Sequence, residues 1–301
     1  DVCSSDLTIR EPRGRAPALV VDALFGIGLA RPASGAYADL VAWANGRGAP
    51  VLALDVPTGL DADTGALFEP AIRATATATF IAHKPGLLTG DGPDAAGIVS
   101  VHPLGLDAGL ASAPGRRLDW PPLDAMRPDA LSRTRRNVHK GTYGTLAIVG
   151  GAPGMTGAPI LAGRAAVRTG AGKVRIGFVA AAHPPVDWNA PELMLGEAAR
   201  AIEDADAIVA GPGMGTSDAA ANALRRALDA PVPLALDADA LNLVAASESL
   251  RGTVAARNAP TLATPHPAEA ARLLGTTTAE VQRDRVGAAA TLAQRLNAHV
   301  V

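Results

Sequence analysis

Short apolar runs separated by Ala- and Leu-rich stretches dictate most of what this chain can become. The runs lie at residues 18–22, 51–56, 76–82, 97–102, 144–150, 173–180, 206–213, 233–239 and 260–266. They are shorter than ordinary helices, and Gly, Pro or Asp bounds them. Between them lie helix-like segments such as YADLVAWANGRG, ILAGRAAVRTGAG and AANALRRALDA. Apolar strands alternating with helices belong to parallel sheets covered on both faces, so the pattern predicts an α/β chain. A Pro- and Arg-rich stretch with no period, residues 111–135, is the expected joint between an earlier and a later group of strands.

The length of 301 residues accommodates two domains. A net charge of −2 offers no field for nucleic acid or a membrane surface, and an aromatic content of 3% offers few stacking platforms for bases. No apolar stretch reaches the roughly 20 residues that cross a bilayer, so a cytoplasmic protein is expected. The single cysteine, Cys3, excludes an intramolecular disulfide and any cysteine-rich metal site. The opening DVCSSDL has neither the charged nor the apolar region of a signal peptide. Residues 1–7 are expected to be foreign to the native protein, and the chain to be a piece open at both ends.

Ligands of open parallel sheets bind outside the carboxyl ends of the strands, so the residues that end the runs matter most. In the first half, VVD ends on Asp22 and continues into ALFGIGLARP, while VLALDV carries Asp55 and continues into PTGLDADTG. Gly26 and Gly28 let a backbone approach a ligand, and Arg31 suits a phosphate. Thr58 adds an oxygen beside Asp55, and carboxylate, hydroxyl and carbonyl oxygens together suit a hard cation. Both aspartates serve equally well as caps of the turns that follow them.

Taken with ATATFIAHKPGLLTGDGPDAAGIVSV, these motifs resemble the NAD(P)H-hydrate epimerase domain, over residues 8–118. The resemblance implies a partial Rossmann-like parallel sheet that interconverts the epimers of NADHX and NADPHX, the hydrated nicotinamide cofactors. It further implies a potassium ion on Asp22 and Thr58, with Thr58 standing where the family has Ser. The turn Gly26, Ile27, Gly28, Leu29, Ala30, Arg31 and Pro32 would hold substrate phosphates. Asp55 would contact the substrate and handle the proton at the hydroxylated ring carbon. The family's Asn- and Gly-rich loop, another source of a potassium ligand, is expected upstream of the chain.

In the second half, GTLAIVGGAPGMTGAP reads as a strand, a glycine loop and a helix start capped by Thr156, an arrangement that favours anions. It has neither G-x-G-x-x-G nor a Walker lysine. Gly211, Gly213 and Gly215 in GPGMGTS serve either tight packing or ligand approach. Asp237 and Asp239 read as helix caps or as a magnesium pair. His266 sits in a stiff Pro-His-Pro turn, with Glu269 opening the next helix.

Together with PELMLG and TPHPAEAARLLG, these segments resemble the ADP- (or ATP-) dependent NAD(P)H-hydrate dehydratase domain, ribokinase-like in fold, over residues 123–301. The resemblance implies that a nucleotide, with Mg2+, phosphorylates the hydroxyl of the S epimer, after which phosphate leaves and NAD(P)H is restored. It places substrate contacts at Ala158, Gly213, Gly215 and His266. The family's catalytic Asp, in a G-T-G-D element, and a Lys-Gly loop are expected beyond Val301. A bifunctional repair enzyme acting on NADHX, NADPHX and ADP, assembled as a homo-oligomer, is the leading expectation. A ribokinase-like vitamin-precursor kinase and a non-catalytic dinucleotide-binding protein are the alternatives.

Overall fold

The computed structural model describes residues 17–29, 31–106, 115–118 and 137–301. The first seven residues, Cys3 and all but 115–118 of the expected joint lie outside them. The chain divides into two compact units, one holding strands β1–β4 and the other β5–β11. No helix of the described residues is long and apolar enough to cross a membrane.

In the first unit, β1 (Val20–Asp22), β2 (Val51–Leu54), β3 (Ala76–Phe80) and β4 (Ile98–His102) form one parallel sheet in chain order. Helix α1 (Ala36–Asn45) lies between β1 and β2. A 3-10 turn (Pro85–Leu87) and the short α2 (Gly92–Ala96) lie between β3 and β4. The buried positions fall into two apolar groups. One gathers Val41 and Ala44 of α1 with Val51, Ala53 and Ile72, and the other gathers Val56, Leu60, Leu87, Ala95 and Ala96. The edge strand β4 is poorly covered, with Ile98 78% exposed. These four strands follow in sequence, so among the described residues no reversal of order marks a ligand crevice in this unit.

The second unit does carry such a mark. Its strands are β5 (Thr145–Gly150), β6 (Lys173–Phe178), β7 (Met194–Glu197), β8 (Ala207–Ala210), β9 (Leu234–Leu236), β10 (Thr261–Ala263) and β11 (His299–Val300). All pair in parallel, in the order β11-β10-β9-β8-β5-β6-β7. The order reverses at β5, so the carboxyl ends of β5 and β8 border the topological switch point. The apolar runs anticipate β5, β6, β8, β9 and β10 but not β7, a four-residue edge strand containing Gly196 that has little β propensity of its own. It forms by pairing with β6.

Alternate residues of β5 enter opposite layers, Ala147 and Val149 on one side and Ile148 with Val174, Ile176 and Phe178 on the other. The helices are α3 (Gly157–Thr169), α4 (Ala198–Ile202), α5 (Asp218–Asp229), α6 (Asp239–Ala246), α7 (Glu248–Ala255), α8 (Pro267–Leu274), α9 (Thr278–Arg283) and α10 (Arg285–Leu296). Helix α5 buries Ala220, Ala223, Leu224, Ala227 and Leu228, a single stripe at helical spacing. Ser217 caps its start by accepting from the Ala220 amide at 3.3 Å.

The far end of α5 has no glycine to close it. Buried Arg257 closes it instead, donating to the carbonyls of Leu228, Ala230 (3.1 Å) and Val232 (2.6 Å) and to Thr261 Oγ1 (3.1 Å). The Leu228 and Ala230 carbonyls are at the helix end, where acceptors are left unpaired, and the Val232 carbonyl lies in the turn just beyond it. Arg257→Met keeps the apolar stem but orphans them, and is expected to destabilise the second unit by about 3 kcal/mol. Thermal denaturation followed by circular dichroism checks this as a fall of several degrees in Tm.

Candidate active site

The carboxyl ends of β1 and β2 are pinned together by one carboxylate. Asp22, 3% exposed, accepts the Thr58 hydroxyl on Oδ1 at 2.7 Å and the Thr58 amide on Oδ2 at 2.7 Å. The Leu24 amide adds a bond of 3.3 Å to Oδ1. The Thr58 hydroxyl also accepts from the Phe25 amide at 3.1 Å and lies 3.3 Å from the Phe25 carbonyl oxygen. Carboxylate, hydroxyl and carbonyl oxygens therefore converge on one spot, with one formal negative charge and no sulfur or imidazole. That donor set fits a hard monovalent cation. The Phe25 carbonyl is not foreseeable from sequence, since nothing in the residue type announces it.

Next to this pinch, the turn after β1 is open to solvent. Gly26, Ile27, Gly28, Arg31 and Pro32 are exposed and Leu29 is half-buried, while Ala30 lies outside the described residues. A Cβ built on Gly26 or Gly28 meets nothing within 4 Å, and neither residue has positive φ. The packing of the described residues thus gives no reason for glycine at either position. Elsewhere in the unit it does, as at Gly59, whose Cβ would stand 2.5 Å from Ala71 Cβ. Bare backbone at Gly26 and Gly28 is what a bulky anion needs to approach closely.

Asp55 is the first residue beyond β2 and takes φ 68. The Val56 amide bonds the Leu54 carbonyl at 2.9 Å across it, a γ-turn of the strained kind. Its carboxylate Oδ1 accepts from Thr79 Oγ1 (3.2 Å), the Phe80 amide (3.1 Å) and Lys84 Nζ. Lys84 is in turn held by Thr79 Oγ1 at 3.0 Å and the Phe80 carbonyl at 2.8 Å. Burial pushes the Asp55 carboxyl up, but the Lys84 hydrogen bond, the Phe80 amide, the Lys84 charge and the Thr79 hydroxyl together bring it below its ordinary value. Asp55 is therefore an ionised carboxylate at neutral pH. Lys84 and Thr79 have no role that sequence reasoning assigns. The available signal is that Lys84 is one of only three lysines in an arginine-rich chain and follows a strand end.

At the switch point of the second unit, the turns after β5 and β8 are laced by their backbones. The Gly151 amide bonds the Pro212 carbonyl at 3.0 Å, and the Ala152 amide bonds the Gly213 carbonyl at 2.6 Å. Gly213, at φ 58, faces Ala158 so closely that a Cβ on it would stand 3.1 Å from Ala158 Cβ and 2.8 Å from the Met155 carbonyl oxygen. Gly215, at φ 70, stands against Ala152 in the same way. Ala158, Gly213 and Gly215 thus meet in one place. Thr156 does occupy the position before α3, but its hydroxyl makes no capping bond. Its backbone is helical (φ −62, ψ −20), which turns the side chain away from the first amides. Of the first residues of α3, Ala158 bonds the Met155 carbonyl through its amide at 3.2 Å, and Pro159 has no amide to offer.

Asp237 and Asp239 do not cap α6, whose N-cap is Ala238 without a side-chain bond. Asp239 Oδ2 instead accepts the Gly215 amide at 2.8 Å, and Asp237 Oδ1 accepts the Thr264 hydroxyl at 2.9 Å. Each carboxylate braces a different neighbouring turn, an arrangement unlike a shared magnesium pair. Among the described residues, no cluster of three or more His, Cys, Asp or Glu residues is placed to hold a metal ion.

His266 stands at the same edge, two strands from β8, as the N-cap of α8. Its Nδ1 accepts from the Ala268 amide at 3.1 Å, and its Nε2 lies 3.0 Å from Glu269 Oε1. Glu269 Oε2 accepts the His266 amide at 3.0 Å. These bonds assign the ring proton to Nε2. The ring is 59% exposed while Glu269 beneath it is buried.

Comparison with known proteins follows the same division. Residues 146–301 match a family model described as NAD(P)H-hydrate dehydratase, and residues 3–86 match one described as YjeF-related protein N-terminus. The Bifunctional NAD(P)H-hydrate repair enzyme Nnr of Escherichia coli (strain K12) is 40% identical over 283 residues, 92% of this chain and 53% of that protein. The protein of the same name from Coxiella burnetii is 40% identical over 276 residues, 89% of this chain and 54% of that one. A solved ADP/ATP-dependent NAD(P)H-hydrate dehydratase from Bacillus subtilis, co-crystallized with ATP/Mg2+, is 30% identical and covers 56% of this chain and 61% of its own, with a TM-score of 0.44. The chain spans about half the length of the curated relatives it matches.

Proposed function

We propose that this chain, which belongs to the NAD(P)H-hydrate dehydratase family and carries a YjeF-related region ahead of it, serves a two-step repair of hydrated nicotinamide cofactors. The first unit interconverts the R and S epimers of NADHX and NADPHX, and the second takes the S epimer to NAD(P)H at the expense of ADP or ATP. The observation that carries the reading is the edge of the first sheet. There an open glycine turn, a cation-fitting set of oxygens and an ionised, tightly held carboxylate lie at neighbouring strand ends.

In the first unit, the turn from Gly26 to Pro32, with its open backbone at Gly26 and Gly28, and the Arg31 guanidinium receive the substrate's phosphates. Asp22, Thr58 and the Phe25 carbonyl hold potassium, which when bound supplies fixed positive charge beside that turn. Asp55 handles the proton at the hydroxylated ring carbon. In the second unit, Ala158, Gly213 and Gly215 line the place of the hydrated dinucleotide, with His266 further along the same edge. Phosphate from the nucleotide goes to the S hydroxyl, whose proton is released, and its departure as inorganic phosphate together with a proton from the neighbouring ring carbon restores the ring double bond. Magnesium enters with the nucleotide's own phosphates.

The test is nucleotide-dependent return of the reduced ring's near-ultraviolet absorbance from S-hydrated NADH, measured on the complete gene product. Phosphoryl transfer to a hydroxylated vitamin precursor, without that return, would point to a kinase. His266→Ala is expected to raise the KM for the S epimer several-fold and to leave R-to-S epimerisation unchanged. Steady-state kinetics on each separated epimer checks it, and an unchanged KM removes His266 from the substrate site.

A further inference from the structure

The hydrogen bonds around Asp55 fall on one oxygen. Oδ1 accepts Thr79 Oγ1, the Phe80 amide and Lys84 Nζ, while Oδ2 accepts none among the described residues. The residues that crowd Oδ1 all come from the end of β3 or just beyond it. That end is strained in the same manner as the end of β2. Ile81 takes φ 67, and the Ala82 amide bonds the Phe80 carbonyl across it at 2.8 Å. A β-branched residue at positive φ is a rare conformation that only surrounding contacts sustain. Here it brings the Phe80 amide and carbonyl and Lys84 to bear on Asp55. Lys84 and Asp55 are both largely buried, at 18% and 22% side-chain exposure.

We propose that Lys84 is a positioning residue of the epimerase site, locking Asp55 through Oδ1 so that Oδ2 alone meets the substrate. This rests on the reading of Asp55 as the group that handles the substrate proton. The charged group facing the carboxylate is Lys84, and the dipoles facing it are the Phe80 amide and the Thr79 hydroxyl. Lys84→Met removes the cation and leaves burial acting on the carboxylate with only those two dipoles to oppose it, so the Asp55 pKa rises. A carboxylate held by those two dipoles alone turns more readily and presents the wrong oxygen part of the time, which lowers kcat more than it raises KM.

The experiment compares wild type, Lys84→Met and Lys84→Arg in the complete gene product, with folding checked by circular dichroism. Two readouts are taken, the carboxyl 13C titration of Asp55 and the steady-state kinetics of R-to-S epimerisation. For Lys84→Met the expected result is an upward shift of the Asp55 midpoint, an acid limb of kcat/KM shifted with it, and a kcat loss of about 10²-fold with KM little changed. Lys84→Arg, which restores a cationic donor, should recover part of the rate. A folded Lys84→Met with an unmoved Asp55 midpoint, or with unaltered kcat, overturns the proposal. Failure of the underlying reading looks different, because wild type itself would then epimerise no hydrated cofactor while the titration still reports on the lock.

Discussion

Asp55→Asn is expected to lower the epimerisation rate by about 10³-fold, the scale of a lost acid–base group. The substitution keeps an oxygen able to accept from the Phe80 amide and the Thr79 hydroxyl, so the unusual backbone at φ 68 stays supported. What it removes is the negative charge, which the surrounding donors preserve in the wild type. The carboxyl is held below its ordinary value, so its ionised form persists at neutral pH and is lost only as the pH falls through that lowered value. Dehydration of the S epimer, proposed for the other unit, should continue at the wild-type rate. Separate assays on purified R and S epimers check the split, and an equal fall in both activities would refute the assignment of two independent sites.

Gly211→Ala is expected to be the most damaging single-methyl change in the second unit. Gly211 sits at φ 131, and a Cβ there would stand 1.7 Å from the Asp237 carbonyl oxygen and 2.7 Å from its carbon. Both groups are backbone, one following β8 and the other following β9, so neither yields as a flexible side chain would. A loss of more than about 3 kcal/mol follows from overpacking added to backbone strain. At about 2–4 °C per kcal/mol, that lowers Tm by roughly 10 °C. Gly28→Ala is the matching control. Its Cβ meets nothing within 4 Å and its φ is not positive, so Tm should hold while epimerase KM rises. Calorimetry on the two variants separates glycine kept for packing from glycine kept for a ligand, and equal Tm losses would contradict the distinction.

That distinction also measures how far the sequence alone can be read. Strand ends are legible because apolar runs stop at Asp or Gly, and Asp22, Asp55 and Thr58 lie at strand ends or in the turn that follows, as that pattern requires. The two possible uses of glycine are not separable from sequence. The GIG turn of the first unit and the GPGMG turn of the other unit carry the same glycine spacing. Only three-dimensional neighbours tell that Gly211 is wedged against the end of β9 while Gly26 and Gly28 stand open. Lys84 stays hidden for a related reason. Its role depends on strained backbone at Asp55 and Ile81, which no residue preference announces. The aspartates of LALDAD mislead because Asp-x-Asp before a helix usually caps it, whereas here they brace the turns after β8 and β10. Strand β7 escapes because four residues with a glycine carry too little pattern, and its partner β6 supplies the rest.

The most direct test of the account is to give the complete gene product an equal mixture of R- and S-hydrated NADH with ADP or ATP and follow the return of the reduced ring's absorbance. Complete recovery is predicted, with the later half of the signal falling about 10³-fold in rate for Asp55→Asn. Recovery that stops at the S half in the wild type would contradict the role given to the first unit, and no recovery with either nucleotide would contradict the repair function as a whole.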